Sequence, residues 1–257
     1  RFNVDNVRNC IIGGDNSYRW EKGIPADSIS LRALHTDTRG EFADPVNFDF
    51  RLQSTSTLRG TGPDGTDPGP YPYEENVFFV SPDGDDDAEG TSSSLAWQTL
   101  VHAFSKLKPG DTLYLESGSY DACSLTNTRD ITVRGRGAEH PLLRGDTNLK
   151  GCEDITLERL AFGGHLTTEG SLRIRIENCI ATEFRNRGTN GLTALQCIFA
   201  GDTAFQDCID VFIRGTIFAA NVTADDSHIT YSDYNSYADG VVRERMPDRY
   251  SQVINPE

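Results

Sequence analysis

No stretch of this sequence approaches the roughly 18 consecutive apolar residues that a membrane-crossing helix needs, so a helical span is excluded. Basic charge is in short supply. Lys and Arg number 24 against 39 Asp and Glu, a net charge of −15, and such a surface repels nucleic-acid phosphates and anionic lipid headgroups. Nucleic acid is set aside as a partner on that ground. A basic and apolar leader is missing, as is an initiator methionine, and Arg1 reads as a processed or excised start. The six cysteines (Cys10, Cys123, Cys152, Cys179, Cys197 and Cys208) form no C-x-x-C pair and no zinc-ligand spacing. No G-x-S-x-G elbow occurs, and the five histidines (His35, His102, His140, His165 and His228) gather into no motif. A serine or cysteine nucleophile therefore has no support.

What the sequence does contain is a repeat. Short strands with inward residues two apart recur as Leu113-x-Leu115, Ile131-x-Val133, Ile155-x-Leu157, Ile174-x-Ile176, Leu192-x-Ala194, Val211-x-Ile213 and Ile229-x-Tyr231. Their first inward residues lie 18, 24, 19, 18, 19 and 18 residues apart. Each strand alternates with period two, as a half-buried strand must. Three residues after the second inward position stand Leu160, Cys179, Cys197, Thr216 and Tyr234. Two further on stand Phe162, Ala181, Phe199, Phe218 and Ser236. Columns that keep register over so many repeats are the mark of a solenoid, in which each coil stacks on the one before. An antiparallel sandwich would instead show turns every 8–12 residues and no columns. The reading is an all-β, right-handed parallel β-helix, and it places most of the cysteines in the core, which favours buried thiols over disulfides.

The segment before the first repeat reads as a cap. Trp97, Leu100, Val101, Phe104 and Leu107 fall on one face of a helix near residues 94–108, with Ser94 as N-cap and Pro109-Gly110 as the stop. With VFFVSPDGDDDAEGT before it and PGDTLYLESGSY after it, this helix resembles the N-terminal cap of pectate-lyase-like β-helix proteins. The resemblance covers Val77 to about Tyr237 and implies the fold and an extracellular setting; it specifies no activity. Residues 1–75 read as an ending: Val7, Cys10 and Ile12 match the pattern of Ile176, Cys179 and Ala181. FDFRLQSTSTLRG resembles the terminal segment of such units, with Ser56-Thr57 where the family usually has Ser-Pro. A Gly/Pro/Asp-rich linker runs from Gly60 to Pro72. The expected organisation is thus the last coils and tail of a first β-helix unit over 1–75, and cap plus about seven rungs of a second over 76–257. With no second tail after SDYNSY, the expectation is a piece of a tandem array, or a chain whose coil ends dock on other copies of itself.

Function is less legible. The outward residues of the strands fall into two columns, Tyr114, Thr132, Thr156, Arg175, Thr193, Phe212 and Thr230, and Glu116, Arg134, Glu158, Glu177, Leu195, Arg214 and Ser232. Arg134, Arg175, Phe212 and Arg214 are the candidate glycan contacts, the aromatic stacking on sugar rings and the guanidinium groups neutralising a uronate, with Lys150 beside them. The competing reading is a solvated ladder of cross-strand ion pairs. The loop carrying Asp83, Asp85, Asp86, Asp87 and Glu89 has the oxygens calcium needs but not the spacing of an EF-hand, so calcium and a plain solvated loop both stay open. Asn221-Val222-Thr223 is a glycosylation sequon only in a eukaryotic secretory host. Asn9 and Asn178 sit before core cysteines, where a stacked asparagine ladder is expected. The paired aspartates of the polygalacturonase-type hydrolases are not found; Asp225 and Asp226 are adjacent and point different ways. Two functions result. The first is a secreted or cell-surface β-helix module, structural or glycan-binding, that assembles through its ends. The alternative is a polysaccharide lyase acting on a uronate-containing glycan.

Overall fold

The computed structural model describes residues 76–238 without a break, together with 12–13, 34–35, 41–44, 49–53, 55–61, 67 and 252–254. The expectations for Val7, Cys10 and Asn9, and most of the linker from 60 to 72, lie outside the described residues. Two compact units divide the chain, residues 1–75 with 92–94 and residues 76–91 with 95–257. In the first, a parallel pair of strands (Ile12–Gly13 and Leu34–His35) and an antiparallel pair (Phe42–Asp44 and Asp49–Leu52) are described. The Glu41 carboxylate gathers Ser56 Oγ at 2.6 Å and the Thr57 amide at 2.8 Å, and Leu52 and Leu58 are buried.

The second unit is a coil with three faces. The first face is an eight-stranded, wholly parallel sheet: Val77–Val80, Thr112–Leu115, Arg129–Gly135, Glu153–Glu158, Leu172–Glu177, Asn190–Leu195, Val211–Arg214 and Ile229–Asp233. The second face runs through Ser119–Asp121, Leu142–Arg144, the start of Ala161–Glu169, the start of Ile180–Arg187, Ile198–Phe199, Ile217–Phe218, Ser236–Ala238 and Gln252–Ile254. The third takes Leu125–Thr126, Thr147–Lys150, the ends of the two long strands, Thr203–Gln206 and Val222–Asp225. Consecutive repeats pair in parallel throughout, so like residues lie over like residues. The chain is a parallel β-helix.

Corners explain how such short strands turn. Asp130, Asp154, Arg173, Gly191 and Asp210 all have φ between +51° and +79°, a left-handed step that Gly, Asn and Asp tolerate and most residues resist. Arg173 is held there by Asp154, whose Oδ1 accepts from its Nε at 2.6 Å. At the corner between the first and second faces, Arg159, Asn178, Gln196, Gly215 and Tyr234 take the same conformation. The asparagine ladder expected around Asn178 is therefore absent among the described residues: a left-handed backbone, and not a shared side chain, makes that turn.

Most inward columns hold. Ile155, Ile174 and Leu192 pair in register, as do Leu157, Ile176, Ala194 and Ile213, and all are buried. Two expectations are corrected. Leu113 and Leu115 pair with Val133 and Gly135, two residues later than expected. Gly135 hides the column because it shows no side chain; a Cβ there would lie 2.1 Å from the Arg159 carbonyl oxygen. In the last coil an irregularity after Val211 pairs Phe212 with Tyr231 and Ile213 with Ser232. One added residue flips the rest of the strand to the other side. Tyr231 and Tyr234 therefore leave the core, and Ser232, Asn235 and Tyr237 enter it, with Tyr237 stacked on Phe218 at 5.2 Å.

The cap helix is also shorter than the sequence suggests. It spans Leu100–Lys106, with Thr99 as N-cap accepting from the His102 amide at 3.1 Å. Trp97 cannot join it, because its backbone bridges Val80 as an extended segment. Its indole stacks on Phe78 at 5.1 Å and lies in the main core. Leu100 and Ala103 face the coil, while Val101 is 68% exposed. The acidic loop serves this cap. Asp86 Oδ1 accepts from the Gln98 and Thr99 amides at 2.8 and 2.9 Å, and Oδ2 from the Thr99 hydroxyl at 2.7 Å. Desolvation is the largest single effect on Asp86 and opposes ionisation, but these bonds together with the nearby His102 outweigh it and lower the Asp86 pKa.

The five described cysteines are free thiols, four of them buried. Cys179 and Cys197 donate to the carbonyls of Leu157 and Ile176 in the preceding coil, each at 3.5 Å. Burial raises both thiol pKa values, that of Cys197 from 9.0 to about 11. A folded-state pKa above the unfolded one gives stability that is full below the unfolded value and is lost as pH rises toward the folded one. Urea denaturation should therefore show stability falling between pH 9 and pH 11, with a shallower fall in Cys197→Ala; equal slopes would contradict this assignment. Phe199 is fully buried and stacks on Phe184 at 4.9 Å. Phe199→Ala should lower unfolding free energy by about 3–5 kcal/mol in the same assay.

Candidate functional site

The outer side of the first face carries two columns. One runs Thr112, Thr132, Thr156, Arg175, Thr193, Phe212 and Tyr231. The other runs Tyr114, Arg134, Glu158, Glu177, Leu195, Arg214 and Asp233. Tyr114 thus belongs beside Arg134, one column over from its expected place, for the same reason that moved Leu113. Parallel pairing sets successive residues of a column about 4.8 Å apart.

The four candidate residues divide into two groups. Arg134 Nε donates to Glu158 Oε2 at 2.7 Å, and its guanidinium lies 5.9 Å from the Tyr114 ring centre. Arg175 donates to Glu177 Oε2, from Nε at 3.0 Å, and Lys150 lies 3.4 Å from Glu169. All three cations carry carboxylates in place, but of the two on this face only Arg134–Glu158 is a rung of the cross-strand ladder; Arg175 pairs with Glu177 along its own strand. Phe212 and Arg214 form the second group, at the far end of the face from Arg134. Phe212 stacks on Tyr231 with centroids 4.4 Å apart and planes within 9°, and the Arg214 guanidinium lies 5.3 Å over the Tyr234 ring. The Tyr231 hydroxyl donates to Asp233 at 3.3 Å, and the Tyr234 amide to the same carboxylate at 2.9 Å. Desolvation, reinforced by this carboxylate, raises the Tyr231 pKa. Tyr234 is 53% exposed and shares the left-handed backbone of Arg159, Asn178, Gln196 and Gly215 at the same corner of the preceding coils.

Three aromatic rings and one guanidinium thus lie together on the last described coils of the first face and the corner after them. The alternation of the sequence places Phe212 and Arg214 outward, where they lie, and Tyr231 and Tyr234 in the core, where they do not. The available signal was Asn235: aligned with Cys197 and Thr216 in place of Tyr234, it sets Tyr237 over Phe218 and turns both tyrosines outward.

A second polar cluster lies where the second face bends into the third. His165 sits in the strand Ala161–Glu169, with Nδ1 3.1 Å from Asp146 and Nε2 3.0 Å from Glu183. Arg185 pairs with Glu183 at 2.8 Å. The two carboxylates approach the ring from opposite nitrogens, so nothing converges on one point. Among the described residues no group of three His, Cys, Asp or Glu side chains is arranged to hold a metal ion.

No family model matches the chain, and no curated protein does. Two solved structures align with it. One is a GH136 lacto-N-biosidase from Eubacterium ramulus, at 13% identity and TM-score 0.49, covering 63% of this chain and 45% of that one. The other is a rhamnogalacturonan lyase, at 13% identity and TM-score 0.37, covering 70% of this chain and 62% of that one. Overlaps of this size transfer no activity.

The ladder makes a quantitative prediction. Arg134 and Glu158 are 41% and 22% exposed, and partly exposed pairs contribute about 0.2–1 kcal/mol. A double-mutant cycle of Arg134→Ala and Glu158→Ala should return a coupling within that range, reduced by added salt; a coupling several times larger would mark a special role for the pair.

Proposed function

We propose that this chain is a secreted or cell-surface β-helix module that binds glycan through Phe212, Tyr231, Arg214 and Tyr234. The observation that carries the reading is the outward Phe212–Tyr231 stack beside the Arg214–Tyr234 pair. A saccharide presents apolar C–H faces and a rim of hydroxyls. Aromatic rings suit the first, and the fixed fork of a guanidinium suits the second. The buried Asp233 carboxylate fixes the Tyr231 hydroxyl, so the aromatic group is ordered before any ligand arrives, which reduces the entropy lost on binding. Strand spacing places further polar side chains of both columns at intervals close to the length of a sugar unit, so a chain of sugars could lie along the coil axis.

The lyase alternative has less behind it. Uronate chemistry needs cations free to neutralise a substrate carboxylate and a base at the C5 proton, and Arg134, Arg175 and Lys150 already carry carboxylate partners. Incubation with uronate-containing glycans should give no rise in the ultraviolet absorbance of unsaturated products, with or without calcium.

Binding to an immobilised panel of neutral and acidic glycans tests the proposal. At least one class should bind, and Phe212→Ala and Tyr231→Ala should each weaken it by about tenfold, with circular dichroism unchanged. Absence of binding across the panel, or equal binding by both variants, would overturn it.

A further inference from the structure

Past the coil that carries the exposed Arg144–Asp121 pair, the outer surface of the second face is uncharged from Ala161 to Ala219, in an otherwise highly charged chain. One outward column stands in register as Leu142, Ala161, Ile180, Ile198 and Ile217. Leu142, Ile180, Ile198 and Ile217 are 36%, 36%, 38% and 37% exposed. Two residues further along each of the last four coils stand Gly163, Thr182, Ala200 and Ala219. The Thr182 hydroxyl is turned back to the Phe162 carbonyl at 3.0 Å, so its polarity is satisfied within the sheet. A ridge of branched aliphatic side chains thus runs beside a furrow of small ones. The strip is about 20 Å tall at strand spacing, a contiguous apolar surface of the kind that marks an interaction site.

We infer that this strip is the centre of a two-fold interface with a second copy of the chain. Three features select that occupant. Two chains of net charge −15 repel each other over most of their surfaces, and a strip without charge is where they can meet at least cost. Ridge and furrow lie side by side on one sheet, so rotation about an axis parallel to the coil, midway between the columns, places each ridge in the other copy's furrow. Ile180, Ile198 and Ile217 then face Thr182, Ala200 and Ala219 of the second copy. The knobs also repeat at strand spacing over several coils, and a surface with matching pitch is supplied by the same face of another such coil. This contact is isologous and closes at two, unlike stacking through the coil ends, which propagates. A stable interface of standard size buries about 800 Å² on each side, more than two short columns of side chains offer alone, so the dimer is reversible.

Sedimentation velocity of the full chain from about 1 to about 200 μM tests this. The mean mass should rise from one chain to two and stop there. Ile198→Lys should weaken the dimer by about 100-fold or more, since it buries a charge against its neighbour, whereas Ile198→Thr should weaken it less. If Ile198→Lys disturbs the fold by circular dichroism, cross-linking decides. In a Cys123→Ser background, chains carrying Ile198→Cys should form disulfides with chains carrying Ala200→Cys, and chains carrying Thr193→Cys on the first face should not. A monomer at every concentration, growth beyond two chains, a dimer indifferent to a folded Ile198→Lys, or cross-linking no better at the strip than at Thr193 would each overturn the inference.

Discussion

Everything in the coil depends on parallel, in-register stacking of one repeat on the next. A backbone in that arrangement satisfies its amides and carbonyls with the neighbouring coils, and in doing so fixes which side chains share a column. Inward columns then become continuous apolar stacks, such as Phe162, Ala181, Phe199, Phe218 and Tyr237, in which each residue packs mainly on the coils above and below. Outward columns become surfaces with a built-in period. Both the charge ladder and the aliphatic ridge are consequences of that period, and they differ only in which residue types occupy it.

Left-handed corners make the stacking possible. Each coil must turn three times within about twenty residues; residues at positive φ make two of those corners, and the bend from the second to the third face is made within long strands such as Ala161–Glu169 and Ile180–Arg187. Where the sequence offers Gly, Asp or Asn, the cost is small. At Arg173 and Tyr234 it is not, and both positions are tied by side-chain contacts to acidic residues or to Arg214. The buried cysteines of the same coils are spacers: small, apolar, and bonded to the carbonyl of the coil beneath, with thiols that burial keeps protonated.

The candidate site is a product of one irregularity. Had Ile229–Asp233 kept the spacing of the coils before it, Tyr231 would lie in the Ile213 column and the aromatic group would not exist. The irregularity after Val211 rotates one coil's worth of side chains, bringing Tyr231 out against Phe212 and Tyr234 under Arg214. A fold this repetitive gains a local site by breaking its own period, since an unbroken period gives every coil the same surface.

The sequence alone determined the fold, because a column such as Leu157, Ile176, Ala194 and Ile213 is written as a fixed interval, and only a stacked coil explains a fixed interval. It determined the free, buried state of Cys179 and Cys197 for the same reason. It also carried Phe212 and Arg214, whose outward position comes from alternation along one strand. Tertiary structure decided the rest. Gly135 continues a column without a side chain to announce it, an extended Trp97 bridged to Val80 delays the cap helix to Leu100, and the irregularity beside Ile229 trades Tyr231 for Ser232. Each depends on what a distant coil presents at that point, a steric and hydrogen-bonding fact between strands that no pattern within a single strand contains.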